Sequence, residues 1–262
     1  MMSNLRMLRS TRIETIVSVL CCFLLGSGIT WGQESSAKPK AADATKKPAA
    51  AKPAQQNPAY AQIEDEAGLP RVLLLGDSIS IGYTVATREA LKGKANVHRP
   101  ATNCSSTRTG LAELDKWLGE KPWNVIHFNF GLHDLKYVMG DKAALVSVDT
   151  DGAQRQVPID EYEANLTKIV ERLQQTKAEL IWCSTTPVPE GAKGRVPADV
   201  ELYNTAAIRV MKKFKVRVDD LNAFATPKLG EIQRPRDVHY TPAGSKVLAG
   251  QVAESILAAL KK

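Results

Sequence analysis

Aromatic residues make up only 6% of this 262-residue chain, which gives no support for a large ring-lined apolar cleft. Histidine occurs four times, at His98, His127, His133 and His239, so imidazole chemistry has four candidates. Cysteine also occurs four times, too few for a disulfide-built scaffold. No apolar run reaches the roughly 20 residues of an ordinary membrane span. Concentrated charge is missing as well. The formal +7 divides into +2 over residues 1–32, zero over 33–67, and +5 over 68–262 from 27 basic against 22 acidic residues. With neither a basic cluster nor a recognisable motif, nucleic-acid binding is excluded. What remains is ordinary for a folded protein, with 44% hydrophobic and 24% charged residues in a length that buries a real core.

The N-terminus reads as an export signal followed by a tether. Arg6, Arg9 and Arg12 precede an apolar stretch over 16–29, which is too short to span a membrane. Small residues around Thr30–Gly32 place cleavage near Gly32, so residues 1–32 are expected to be a secretory signal, with an uncleaved signal anchor as the alternative. Leu20 before Cys21 argues against a lipoprotein. In KPKAADATKKPAAAKPA, residues 38–54, 15 of 17 positions are Lys, Ala or Pro. That composition has nothing large to bury, so 33–67 is expected to be an extended linker, or a basic arm holding the protein near an anionic envelope. Outside the signal, Cys104 and Cys183 either pair or remain as two buried thiols.

From residue 68 to the C-terminus, strands and helices alternate. RVLLLGDSIS is an apolar strand ending in Gly-Asp-Ser, followed by the helical ATREALKGK and the short strand NVHRP. GLAELDKWLGE has Leu111, Leu114 and Leu118 at helical spacing. WNVIHFNFG is a β-branched and aromatic strand. Residues 135–158 read as an irregular excursion, and DEYEANLTKIVERLQQTK as a helix capped by Asp160. AELIWCSTTPV is a strand with a Pro/Gly loop over 187–197. ADVELYNTAAIRVMKKF is a helix, VRVDDLNAF a strand, and the last helix carries an apolar face through Val247, Val252, Ile256 and Leu260. Five strand–helix units predict an α/β fold, a three-layer α/β/α domain on a five-stranded, mostly parallel sheet. Working residues then belong at the carboxyl ends of the strands.

The chemistry-bearing residues fall at those ends. Ser78 follows the first strand directly. His239, in Arg236-Asp237-Val238-His239-Tyr240-Thr241-Pro242-Ala243-Gly244, precedes the last helix and is the candidate base for Ser78, held by a capping Thr and a Pro suited to the first helical position. Phe128-Asn129-Phe130-Gly131-Leu132-His133-Asp134 closes the third strand. Asn103-Cys104-Ser105-Ser106 follows the second, where backbone N–H groups could face a developing oxyanion.

Together, in this order, these blocks resemble the SGNH (GDSL-type) hydrolases over residues 71–260. That family shows Gly-Asp-Ser after the first strand, a small-residue block after the second, Gly-x-Asn-Asp after the third and Asp-x-x-His before the last helix. The resemblance implies a flavodoxin-like sheet, Ser78 as nucleophile and His239 as general base and then acid. It also implies an oxyanion hole from the amides of Ser78 and of Ser105 or Ser106. The chain departs from the pattern at three places. His133 stands where the family has Asn, and its neutral imidazole offers one N–H. Ser105-Ser106 stands where Gly is expected. Arg236 occupies the acid position, with Asp237 one residue later, so either Asp237 or a backbone carbonyl orients the imidazole.

The expectation is therefore a secreted or periplasmic serine esterase that needs no cofactor and no metal. It acts on a small-molecule or polysaccharide ester through a Ser78 acyl-enzyme, and the resemblance implies a carbohydrate O-deacetylase as one outcome. Two alternatives are a catalytically degenerate member that binds glycan without hydrolysis, and a metal site drawing on His127, His133, Asp134 and His239, in which the His127–His133 spacing is unusual for ligands.

Overall fold

The computed structural model describes residues 57–140 and 143–261, so the expected signal over 1–32 and the linker as far as residue 56 lie outside the described residues. Five parallel strands form the main sheet: β1 (Arg71–Leu75), β2 (Asn96–His98), β3 (Val125–Phe128), β7 (Glu179–Cys183) and β8 (Arg217–Asp219). Their spatial order is β2-β1-β3-β7-β8, the flavodoxin-like order. The strands are short and almost wholly apolar because both faces are covered. Val72 to Leu75 are at most 1% exposed, and each such side chain contributes about 1.5–3 kcal/mol on burial.

Helices supply the two outer layers. α1 (Ser78–Ala90) packs against the C-terminal helix α7 (Pro242–Leu260), joined there by the short α5 (Leu221–Ala225) and α6 (Leu229–Ile232). α2 (Thr107–Leu118), α3 (Ile159–Gln174) and α4 (Asp199–Phe214) pack in sequence with one another. Cys104 and Cys183 are buried free thiols, which settles the alternative of a bridge between them. Among the described residues no helix is long and apolar enough to cross a membrane.

Several local expectations are corrected. α1 begins at Ser78 rather than Ala86 and ends before Leu91. Its first ten residues, SISIGYTVAT, are rich in β-branched residues and include Gly82, a weak helix-forming run that docking on α7 and the sheet overrides. Residues 135–158 are not wholly irregular, since β4 (Tyr137–Met139), β5 (Ala144–Leu145) and β6 (Gln154–Arg155) form a small antiparallel sheet. Asp160 sits in the first turn of α3 without capping it, because Pro158 holds the cap position. VRVDDLNAF is half strand and half α5, divided where Asp220 caps the helix. On α7, Val247 faces outward and Leu248 fills the core beside Val252 and Ile256. Leu111 is likewise exposed, and Trp117 takes the buried position on α2.

The expected boundary at residue 68 also moves. Residues 57–67 lie on the domain: Arg88 donates to the Pro58 carbonyl at 3.2 Å, and Asn96 Oδ1 accepts the Glu66 amide at 2.9 Å. Asp65 meets Arg71 at 2.9 Å and His98 at 2.6 Å. The sequence looked tether-like because its few contacts are polar and made with residues distant in the chain. A protein starting at residue 57 is expected to keep the full denaturant midpoint, whereas one starting at residue 68 loses about 1–3 kcal/mol through several lost hydrogen bonds. Urea unfolding of the two truncations checks this.

Candidate active site

Ser78 is the first residue of α1. The chain leaves β1 at Leu75, turns through Gly76 and Asp77, and enters the helix with Asp77 Oδ1 accepting the Ile79 amide at 2.9 Å. The turn is tight: a Cβ on Gly76 would sit 2.7 Å from Ser80 Cβ, so only glycine fits without a shift. His239 arrives from the far end of the chain, on the segment leading into α7. There Thr241 Oγ1 caps the helix by accepting the Gly244 amide at 2.9 Å, and Pro242 occupies its first turn.

These two segments meet. His239 Nε2 lies 2.9 Å from Ser78 Oγ, and His239 Nδ1 lies 2.7 Å from Asp237 Oδ1, which also accepts the His239 amide at 3.1 Å. Asp237, rather than a carbonyl, therefore holds the imidazole. The one-residue shift works because a single Asp237 oxygen accepts both the amide and the ring N–H of His239, a local turn closed by the side chain two residues ahead. Burial pushes the Asp237 carboxyl up, but the His239 amide and ring outweigh it and hold its pKa below the ordinary value. Both side chains stay accessible, 38% for Asp237 and 44% for His239.

The remaining expected residues face one another across the loops after β2 and β3. Ser105 Oγ lies 3.2 Å from His133 Nδ1. If the hydroxyl donates, Nδ1 is the acceptor and the ring proton sits on Nε2, which has no partner among the described residues. Burial depresses the His133 pKa, with Lys136, Arg195 and His239 pushing the same way against Asp77, so a neutral ring is favoured. Ser105 is in the left-handed region, φ +56°, a conformation that favours glycine. Its amide donates to Asn103 Oδ1 at 2.9 Å, while the amide of Ser106, at the cap position of α2, has no acceptor among the described residues.

Several supporting residues escaped the sequence reading. Arg99, read only as the end of a strand, is 4% exposed and donates to the carbonyls of Gly76 at 3.2 Å and Thr102 at 3.0 Å. It thereby ties the Gly76–Ser78 turn to the Asn103–Ser106 loop. Its only sequence signal is an arginine directly after a buried strand. Asp134 accepts the Thr107 amide at 2.8 Å and its hydroxyl at 2.5 Å, fixing the start of α2 from the loop that carries His133. Tyr162 and Tyr203 donate to the carbonyls of Phe130 and Val157 and pin both ends of that loop. Gly131 lies against Thr185, whose Oγ1 would be 1.9 Å from an added Cβ.

A groove of about 730 Å³ opens on Ser78 and His239, walled by Ile79, Ile81, Val85 and Pro242 with Arg234 and Lys246 at its edge. The residues weighed for a metal do not converge. His127 is fully buried, with Nε2 3.0 Å from Asp219 Oδ2, whose other oxygen accepts from Gln251 at 2.9 Å. Among the described residues, the metal-capable grouping is His127, Cys183 and Asp219, sealed in the core.

Burial pushes the Asp134 carboxyl up from 3.8 to about 7, against the opposing pull of the Thr107 hydroxyl and amide. The folded state therefore holds this proton more tightly than the unfolded chain does. Its contribution to stability is fully present below pH about 4 and is lost as pH rises through about 7. Asp134→Asn keeps an acceptor for Thr107 and removes the titration. Urea unfolding from pH 5 to 8 is expected to show wild-type stability falling relative to Asp134→Asn by roughly 1–4 kcal/mol.

The sequence matches the family described as GDSL-like Lipase/Acylhydrolase over residues 74–247. No curated protein matches. Among solved structures, the fold is similar to an acetyl xylan esterase, AlAXEase, at 15% identity and a TM-score of 0.56, covering 71% of this chain and 99% of that one. It is similar to a lipase/acylhydrolase from Enterococcus faecalis at 18% identity and a TM-score of 0.58, covering 72% and 95%. It is also similar to Axe2, an acetylxylan esterase from Geobacillus stearothermophilus, at 15% identity and a TM-score of 0.57, covering 71% and 94%. The family match spans more than half of the sequence and includes both the serine turn after β1 and the histidine before α7, so this chain belongs to the GDSL-like lipase/acylhydrolases, carboxylic ester hydrolases of the SGNH superfamily.

Proposed function

We propose that the protein is a serine esterase that removes short acyl groups, acetyl above all, from carbohydrates outside the cytoplasm. One observation carries the reading: the unbroken line from Asp237 Oδ1 to His239 Nδ1 at 2.7 Å and from His239 Nε2 to Ser78 Oγ at 2.9 Å. In this mechanism His239 takes the Ser78 proton as Oγ attacks the ester carbonyl, and Asp237 steadies the imidazolium. The amides of Ser78 and Ser106, with His133 Nε2–H, receive the oxyanion. His239 then protonates the leaving alcohol, and water, deprotonated by His239, releases the acid and restores Ser78. Two of the structures sharing the fold are named acetylxylan esterases, which supports acetyl as the acyl group. Export rests on the basic and short apolar pattern over residues 1–32.

Purified protein is expected to release acetate from acetylated xylan and to cleave p-nitrophenyl acetate faster than the octanoate. Ser78→Ala should lose at least about 10³-fold in kcat. Asp237→Ala should lose about 10- to 100-fold, less than the roughly 10⁴ associated with a buried triad acid, because water reaches this carboxylate. Unchanged hydrolysis by Ser78→Ala would refute the mechanism.

His133 is the sharper case. Replacing it with Ala should lower kcat by about 10²–10³ with little change in KM, the signature of a donor used in the transition state. His133→Asn, which restores the family residue, should retain more activity than His133→Ala. Equal kcat for wild type and His133→Ala would remove the imidazole from the oxyanion hole.

A further inference from the structure

Most arginines of the described residues are engaged. Arg71, Arg108, Arg155 and Arg209 hold carboxylates at 2.5–2.9 Å, and Arg99 is wrapped in carbonyls and hydroxyls. Arg195 is not. Partly buried in the loop between β7 and α4, it donates only through Nε, to the Leu132 carbonyl at 3.0 Å. Its two terminal nitrogens have no acceptor among the described residues. Leu132 immediately precedes His133, so this guanidinium is anchored on the oxyanion side of the site.

Lys136 stands beside it. The Tyr137 amide donates to the Gly194 carbonyl at 2.7 Å, which stitches the start of β4 to the Arg195 loop. The Lys136 carbonyl accepts the Gln156 amide at 2.8 Å, but its ammonium has neither a hydrogen bond nor an ion pair among the described residues. A third cation comes from the other flank. Arg236, the residue where the family has its acid, lies across the same loop: a Cβ on Gly191 would be 2.8 Å from Arg236 Nε. It too makes no ion pair among the described residues.

Nothing nearby neutralises these groups by contact. Asp77 and Asp237 attract Arg195 only at a distance, and Glu190 on the same loop pairs with none of the three. Burial lowers the pKa of Lys136, and the neighbouring Arg195 lowers it further against the pull of Asp134. Adjacent cations drawn partly out of water with no carboxylate in contact are unfavourable in the empty protein and become favourable when an anion bridges them. Arginine beside lysine suits planar or tetrahedral oxyanions.

We propose that Lys136, Arg195 and Arg236 form an anion-binding rim beside Ser78 and His239, which holds a carboxylate or sulfate carried by the alcohol part of the ester, so that the substrate is an anionic glycan. The inference deepens the esterase reading and rests on it only in calling the ligand a substrate. Binding to the rim requires no turnover.

The test uses Ser78→Ala protein, so that binding is measured apart from hydrolysis. Three probes are titrated by calorimetry: O-acetylated oligogalacturonide, the same oligomer methyl-esterified to remove its charge, and a sulfated oligosaccharide of equal length. At low salt the protein is expected to bind at least one anionic probe about 10-fold or more tightly than the neutral one. Roughly 0.5 M NaCl should shrink that preference. Carboxylate or sulfate is identified by which probe gains. Lys136→Gln and Arg236→Gln should each reduce the preference about 3- to 10-fold while leaving neutral binding unmoved. These two carry the test even where Arg195→Gln disturbs the Leu132 contact and fails to fold. Equal affinity for charged and neutral probes, or a preference that survives the Lys136→Gln/Arg236→Gln double variant, would overturn the rim. Wild-type protein that binds the anion but releases no acetate from any probe would instead overturn the esterase reading and leave the rim standing.

Discussion

The site depends on one buried carboxylate. Asp134 reaches from the loop after β3 to the first turn of α2 and accepts both the amide and the hydroxyl of Thr107. Immediately beside it in sequence is His133, and immediately before Thr107 are Ser105 and Ser106. One charged or protonated group therefore sets the distance between the imidazole and the small-residue turn that faces it. Arg99 does the same across the neighbouring gap, joining Gly76 to Thr102. Parallel strands give no direct connection between their carboxyl ends, because each crossover returns through a helix on the far side. Polar side chains set into those ends must do the joining, and in this protein they are buried so that water does not compete for their partners.

The two departures from the family pattern that concern the catalytic residues have physical compensations. Moving the acid one residue closer to His239 shortens the loop between them to a single residue. That demands a sharper reversal, closed by Asp237 Oδ1 on both the amide and the ring of His239. The acid then sits nearer to solvent than a buried triad member does, and its grip on the ring is correspondingly weaker in electrostatic terms. On the other side, His133 replaces an amide with a ring whose useful proton depends on its tautomer. The Ser105 hydroxyl beside Nδ1 gives the residue after Cys104 a role that a glycine could not fill. The two departures thus meet in one hydrogen bond.

The alternation of apolar strands with amphipathic helices was enough to read the layer order, and Ser78 and His239 followed from their places at strand ends. The same patterns could not reveal that α1 starts at Ser78, because β-branched residues and Gly82 speak against a helix that only tertiary packing holds. They could not locate Arg99, Tyr162 or Tyr203 as supports, since each acts on a backbone carbonyl far away in sequence, and carbonyls carry no residue-specific signature. The tether-like reading of 57–67 failed for a related reason. Composition reports what a segment can bury, whereas Asp65 and Asn96 hold it by polar contacts. Asp237 was legible as a candidate but not as the answer, because the turn through Val238 decides whether its carboxylate reaches the ring.

The weak propensity of α1 has a temporal meaning. Ser78 begins a helix that is not self-supporting and rests on α7, while His239 lies just ahead of α7. Since α7 follows every other described element in the sequence, Ser78, its supporting helix and His239 acquire a common frame only once α7 has docked. Without that docking Ser78 is present but not paired with His239, so the pair forms in one late packing event rather than accumulating as the domain forms.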